Sequence, residues 1–420
     1  MTNFRTQGNV SIGGNISIHQ DGSISSLGNL SFGNISVTSN GDITTSGGVY
    51  LNGVKLGAGP SSPVVISGTL WDFGLNNYGQ LGQGNTTNYS SPVQVGALTN
   101  WASVACGGAH TVAIKTDGTL WVWGGYNSFG QLGLGDTNPY SSPAQVGALT
   151  TWESVASGGY STMAIKTDGT LWGWGNDSYG QLGLGTQVQA YSSPVQVGSL
   201  TNWKTVGCGI LSLHTLAIKT DGTLWAWGKD NYGQLGQGNT TNYSSPVQVG
   251  ALTNWASVAA GQFHTAAIKT DGTLWTWGGY NVFGQLGQGN TTNYSSPVQV
   301  GALTNWASVT CGRFHTAAIK TDGTLWAWGY NNDGELGLGN TTNYSSPVQV
   351  GALTNWASVA GGQSHTTAIK TDGTLWAWGN DSYGQLGQGN TTNYLSPVQV
   401  GALTNWASVA CVNQTVAIQK

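Results

Sequence analysis

The string Gly-Thr-Leu-Trp occurs seven times, ending at Trp71, Trp121, Trp172, Trp225, Trp275, Trp326 and Trp376. The intervals are 50, 51, 53, 50, 51 and 50 residues. A period of this size means one supersecondary unit per repeat, stacked in a row or closed into a ring. It overrides the two or three separate domains that 420 residues would otherwise suggest.

One full unit runs from Asn254 to Thr304. Four short β-runs are expected in it, separated by Gly, Asn, Asp and Pro clusters. They are Trp255 to Val258, His264 to Lys269, Thr273 to Trp277 and Pro297 to Val300. Asp271-Gly272 supplies tight-hairpin chemistry between the second and third runs. No window carries helical periodicity, so the chain reads as all-β. Four strands in each of seven units fit a β-propeller. The last repeat ends at Thr415 to Lys420, where other copies enter their hairpin, and the first begins at Ser67 to Trp71, where other copies leave it. The expectation is a seven-bladed β-propeller over 61–420 whose closing blade is shared by N- and C-terminal strands, leaving no sheet edge open.

The residues that carry this pattern resemble a known family. Gly233-Gln234-Leu235-Gly236, Gly261-Gln262-Phe263-His264-Thr265 and the recurrent Asp-Gly-x-Leu-Trp-x-Trp-Gly are similar to the regulator-of-chromosome-condensation repeat, over about residues 67–420. The resemblance implies a seven-bladed propeller but no single function, since family members include an exchange factor for a small GTPase and bacterial inhibitors of β-lactamase.

Only 7% of residues are charged, against roughly 25% in typical domains, so Gly, Asn, Thr and Ser must cover the surface. Twelve Lys+Arg and a net charge of −4 give no basic footprint for nucleic acid. No run approaches the roughly 18 apolar residues of a membrane span, and the first residues lack the pattern of a secretory signal.

Residues 1–60 differ from the rest. They hold a weak repeat, Gly-Asn-apolar-Ser-apolar, at Gly8, Gly14, Gly28 and Gly33, with Asp21-Gly22 and Asn40-Gly41 as turn signals. The segment reads as short strands with too few large apolar side chains for an independent core. It is expected to attach to other proteins or to form a homo-oligomer. Its low-complexity strands, ending in Gly47 to Val54, look similar to stalk and attachment regions of tailed-phage structural proteins. Gly57 to Pro63 is a plausible linker.

Cys106, Cys208, Cys311 and Cys411 share a repeat position that also accepts Ser157, Ala260 and Gly361, which asks for a small core residue. His110, His214, His264, His315 and His365 share another, replaced by Ser161 and Gln414. Each imidazole is expected to bond backbone within its own blade. Asp117, Asp168, Asp221, Asp271, Asp322 and Asp372 are hairpin residues. Asp177, Asp230, Asp333, Glu335 and Asp381 are scattered among later loops without a pair. No nucleophile elbow, phosphate loop, calcium loop or zinc spacing occurs, so no cofactor, metal or catalytic residue is assigned.

Two sets of residues are candidates for binding. One is the ring Tyr89, Tyr140, Tyr191, Tyr243, Tyr294, Tyr344 and Tyr394, able to pack between blades or to contact sugar and protein. The other breaks the repeat: Leu211 and Leu213 in an apolar insert, Val188 in an altered loop, and Arg313, the only arginine of the propeller. Together these features suggest a non-enzymatic phage virion protein, whose propeller head binds a host surface glycan or protein or a neighbouring virion protein. The alternatives are a bacterial propeller that inhibits another protein and, further off, a GTPase exchange factor.

Overall fold

A computed structural model describes residues 67–420 apart from 188, 210 and 212, together with strand segments nearer the N-terminus. The chain divides into two compact units, Met1–Val65 and Ile66–Lys420. In the first, Val10–Ile12, Ile16–Ile18 and Ile24–Ser26 form one antiparallel sheet, and Leu30–Val37, Ile43–Leu51 and Val54–Leu56 form another. Two copies of the Gly-Asn repeat run together in the single strand Leu30–Val37, with a register shift between Phe32 and Asn34. The turn signals Asp21-Gly22 and Asn40-Gly41 lie outside the described residues.

The second unit is the seven-bladed propeller. Each blade is a four-stranded antiparallel meander. In blade four the strands are Trp255–Ala260, His264–Lys269, Leu274–Gly278 and Tyr294–Gln299. The fourth strand starts three residues before the sequence suggested. Its opening, Tyr-Ser-Ser, lacks apolar alternation, and its Pro297 is tolerated because this is the outer edge strand. First strands of neighbouring blades lie side by side around the axis.

Blade seven combines Trp406–Cys411 and Gln414–Gln419 with Thr69–Gly74 and Tyr89–Gln94. Gln419 pairs with Thr69, Ala417 with Trp71 and Gln414 with Gly74. The closing blade is thus built from both ends of the propeller sequence.

The hairpin between second and third strands explains its own sequence. In blade four, Asp271 Oδ1 accepts the Thr273 N–H at 3.0 Å and the Thr273 hydroxyl at 2.6 Å. Those bonds hold the Asp271 carboxyl below the usual carboxylate range. Gly272 has φ +77°, and a Cβ there would meet the Thr304 carbonyl at 2.1 Å, so only glycine fits. Trp275 Nε1 donates to the Thr273 hydroxyl at 2.9 Å, and Lys269 Nζ lies 3.7 Å from the Trp275 ring centroid.

The core lies between blades. One cluster joins Leu216, Ile218, Leu224 and Leu235 of blade three to Trp255, Ala267 and Trp277 of blade four. Polar ties run through the same seams. Thr265 Oγ1 of blade four donates to the Gln234 carbonyl of blade three at 2.8 Å, and Trp277 Nε1 donates to that oxygen at 3.0 Å. The threonine tie recurs at all seven seams, through Thr111, Thr162, Thr215, Thr265, Thr316, Thr366 and Thr415.

Candidate functional site

An antiparallel meander sorts its connections. Those between first and second strands and between third and fourth strands leave one end of each blade; the hairpins and inter-blade connections leave the other. At the hairpin end the loops are near copies. Leu98, Leu149, Leu200, Leu252, Leu303, Leu353 and Leu403 all stand exposed there. Shallow grooves run between blades, such as one of about 350 Å³ lined by Leu303, Trp306, Trp326 and Pro347.

At the opposite end the loops differ from blade to blade, and the difference is largely aromatic. Tyr232, Phe263, Tyr280, Phe283, Phe314 and Tyr330, from blades three to five, form a continuous cluster. Tyr232 and Phe263 have ring centroids 4.8 Å apart, Phe263 and Phe314 stack at 6.0 Å, and Phe283 meets Tyr330 at 4.7 Å. Arg313 lies within it, its guanidinium 4.8 Å from the Phe314 ring and its Nε donating to Gln262 Oε1 at 2.8 Å. A smaller cluster joins Tyr78, Tyr126, Phe129 and Tyr160 of blades seven, one and two, with Tyr78 and Tyr126 centroids 5.7 Å apart. Tyr78, Tyr126 and Tyr280 remain 45%, 40% and 40% exposed. Tyr280 holds a left-handed φ of 55°, uncommon for an aromatic residue.

Apart from Arg313, the sequence candidates lie in or beside the loops of this same end, outside the aromatic clusters. Each tyrosine of the ring begins a fourth strand, except Tyr191, which follows Ala190, and each is half-buried with its hydroxyl engaged locally. Asn85, Asn239, Asn290, Asn340 and Asn390 donate to Tyr89, Tyr243, Tyr294, Tyr344 and Tyr394 at 3.1–3.4 Å. Tyr140 donates to Asp136 at 2.9 Å, and Tyr191 pairs with the Thr186 hydroxyl at 3.3 Å. The rings of Tyr140 and Tyr191 also pack against one inter-blade cluster.

Leu211 is half-buried with φ 54°, and packs against the cluster between blades seven and one that contains Cys106 and Val412. Its Cδ2 lies 3.0 Å from where a Cβ of Gly108 would stand, so it lies across the first loop of blade one. Leu213 is half-buried, and its carbonyl accepts the Lys229 N–H at 2.8 Å. Val188 lies outside the described residues.

The histidines differ from expectation. Their Nε2 atoms reach a threonine of the next blade. His110 Nε2 meets Thr162 Oγ1 at 3.0 Å, His264 meets Thr316 at 3.0 Å, His315 meets Thr366 at 2.9 Å and His365 meets Thr415 at 3.0 Å. His214 approaches Thr265 at 3.4 Å. Each threonine hydroxyl donates its proton to a carbonyl, so the imidazole Nε2–H is the donor. Gln414 takes the histidine's place at the closing seam, donating to Thr111 at 3.4 Å. Burial holds these imidazoles neutral, at about 4 for His110 and His315 and about 3 for His214, His264 and His365. They fasten blades together. The cysteines are free thiols in the seams, and burial pushes Cys208, Cys311 and Cys411 up to about 12.

Four of the five scattered acids, Asp177, Asp230, Glu335 and Asp381, are buried, and Asp333 is half-buried in the same loop as Glu335. Burial raises Asp177 and Asp381 to about 6, Asp230 to about 7 and Glu335 to about 8. Among the described residues, no group of three or more His, Cys, Asp or Glu is placed to hold a metal ion.

The aromatic surface escaped sequence reading because its members lie in different loops. The signal available was mixed: Phe263, Phe314, Tyr280 and Tyr330 occupy positions that change between copies, whereas Tyr232 and Phe283 occupy one that is Tyr or Phe in six of the seven.

Residues 212–420 match the RCC1-like domain, and 67–114, 117–165 and 168–218 match the regulator of chromosome condensation (RCC1) repeat. The Ultraviolet-B receptor UVR8 of Arabidopsis thaliana is 34% identical over 268 residues, 62% of this chain and 60% of the receptor. The E3 ubiquitin-protein ligase HERC2 of Homo sapiens is 30% identical over 284 residues, 65% of this chain but 6% of the ligase. The chain therefore spans less than two thirds of either relative. Among solved structures, yeast RCC1 (Prp20), crystallised with Kap60, aligns with a TM-score of 0.76 at 21% identity, covering 87% of this chain and 92% of that one. Human WBSCR16 aligns with a TM-score of 0.74 at 22% identity, covering 84% and 98%. Residues 67–420 of this protein are an RCC1-like repeat propeller.

Proposed function

We propose that the propeller is a non-enzymatic binding head that engages a protein partner through its aromatic end, centred on Arg313, Phe314 and Tyr280. The carrying observation is the contrast between the two ends. The loops of one end are repeated almost unchanged, whereas the other end gathers aromatic residues and the propeller's single arginine. Partly exposed Tyr, Phe and Arg held in rigid contact are the chemistry of interface hot spots. The grooves of the hairpin end are less suited, because a lysine already lies over one face of the tryptophan in six blades.

Display on a phage virion, with residues 1–60 as the attachment segment and a host surface glycan or protein as the partner, is the finer reading. It is supported by the Gly-Asn-Ser strand repeats of that segment. Detecting the chain in purified virions tests it. The binding head is tested by immobilising the full chain and identifying retained proteins with three forms in parallel. The Arg313→Glu/Tyr280→Ser double variant is expected to lose the partner, and Leu303→Ser at the opposite end to keep it. Equal retention by all three rejects the aromatic end.

A further inference from the structure

Five loops after the third strand, in blades three to seven, share one hydrogen-bond frame, and they provide an internal comparison. In blade four, the Asn281 N–H donates to Asn293 Oδ1 at 3.0 Å, and Asn281 Oδ1 accepts the Leu286 N–H at 3.0 Å. Asn281 Nδ2 then donates to two loop carbonyls, Asn290 at 3.2 Å and Thr292 at 2.9 Å. Asn331 in blade five repeats this, with 3.0 Å to both the Asn340 and Thr342 carbonyls. Asn76 in blade seven reaches Asn85 and Thr87 at 3.1 and 2.9 Å.

Blades three and six have aspartate at this place, in the same loop sequence. The Asp230 N–H donates to Asn242 Oδ1 at 2.7 Å and Asp230 Oδ1 accepts the Leu235 N–H at 2.8 Å. Asp381 does the same with Asn393 and Leu386, at 2.9 and 2.8 Å. Both residues are wholly buried, and Oδ2 of each has no hydrogen-bond partner. That oxygen occupies the position of the amide nitrogen, so it faces the carbonyls of Asn239 and Thr241, or of Asn390 and Thr392. A carboxylate there sets an acceptor against two acceptors. A carboxylic acid has one O–H to give to a carbonyl in the place of the amide N–H.

We infer that Asp230 and Asp381 each bind a proton in the folded propeller, and that this proton closes the loops presenting Tyr232 and Tyr383. Burial raises both carboxyls, to about 7 and about 6, and the leucine N–H lowers them; no charged neighbour contributes to either shift. Lys229 precedes Asp230, but its Nζ lies 4.8 Å from the Tyr179 ring centroid. Asp333 touches the loop of Asp381 through Asn393 Nδ2 at 3.1 Å, an exposed contact. With the folded pKa above the unfolded one, the stabilisation is complete below about pH 4 and is lost as pH rises through 6 to 7. Asp177 keeps the Leu182 bond, but its loop sequence departs from the others, so it stands outside the comparison.

Amide hydrogen exchange on the full chain between pH 5 and pH 8, corrected for intrinsic rates, tests this within one molecule. Protection of Leu235 and Leu386 is expected to fall about tenfold relative to Leu286, which bonds asparagine. The Asp230→Asn/Asp381→Asn variant is expected to remove the difference. Equal pH dependence at all three leucines overturns the proposal. So does recovery of protection at pH 8 on adding millimolar calcium, which would assign a bound cation in place of the proton.

Discussion

Asp72 occupies, in the closing blade, the third-strand position that blades one to six fill with Val122, Gly173, Ala226, Thr276, Ala327 and Ala377. It is wholly buried and neither carboxyl oxygen has a hydrogen-bond partner. Thr276, the other polar residue in this set, is buried with its hydroxyl donating to the Leu286 carbonyl at 2.6 Å. Burial therefore drives the Asp72 carboxyl well above its usual range. Asp72→Ala is expected to raise stability at pH 7 by about 1–3 kcal/mol. Because the folded pKa is raised, wild-type stability falls as pH climbs above the unfolded value, so the gain should shrink toward pH 4. Denaturant melts at both pH values check it, and an equal gain at each would refute the burial argument. Gly261 offers a second test, since a Cβ there would lie 2.2 Å from His264 Cε1. Gly261→Ala should cost roughly 1–3 kcal/mol. The loss should shrink in a His264→Ser background, measured as a double-mutant cycle, leaving the part due to the Gly312 carbonyl 2.8 Å from that Cβ.

The loop around Tyr280 is the element in which stability and binding part company. Its left-handed backbone favours glycine, while the tyrosine ring contacts Phe263, Phe283 and Phe314. In Tyr280→Gly the relieved backbone, about 1–2 kcal/mol, offsets only part of the lost ring contacts with Tyr232, Phe263, Phe283 and Phe314, about 0.5–1.5 kcal/mol each. A moderate fall in melting temperature is expected, with loss of partner binding at temperatures where the variant is still folded. A large loss of stability with intact binding would make Tyr280 a packing residue.

The strands are legible because the repeat isolates them: His264–Lys269 has the bounds that the turn clusters on either side of it predict. Tyr294 lies ahead of the run expected from sequence because Tyr-Ser-Ser carries no alternation, and its pairing with Gly278 depends on a neighbouring strand. The histidine contacts were out of reach for a related reason. His264 and Thr316 are 52 residues apart, and only ring geometry brings them together. The aromatic end was the least legible, since contacts such as Phe263 with Phe314 join positions that the repeat treats as variable.

Closure is a property of the whole molecule. Deleting residues 412–420 removes the Gln414–Gln419 strand with its buried Val416, Ala417 and Ile418. It also removes the Thr415 and Gln414 ties at two seams. A loss of about 5 kcal/mol or more is expected, comparable to the whole stability of an ordinary domain. A truncated protein that melts like the intact one would contradict the shared blade. Residues 1–60 are expected to associate, because their strands have little core of their own. Light scattering on the full chain and on 61–420 should show an oligomer only for the former, and a monomeric full chain would count against association.

The meeting of Gln419 with Thr69 has a consequence for the topology of the gene. The chain break in blade seven falls where each other blade has its Thr-Asp-Gly hairpin. Joined there by such a turn, the propeller would be a continuous circle of polypeptide. The position of its opening is then a matter of which of seven equivalent turns is cut. Circular permutants opened at Asp117, Asp221 or Asp322 should reach the same ring, with the shared blade moved around the axis.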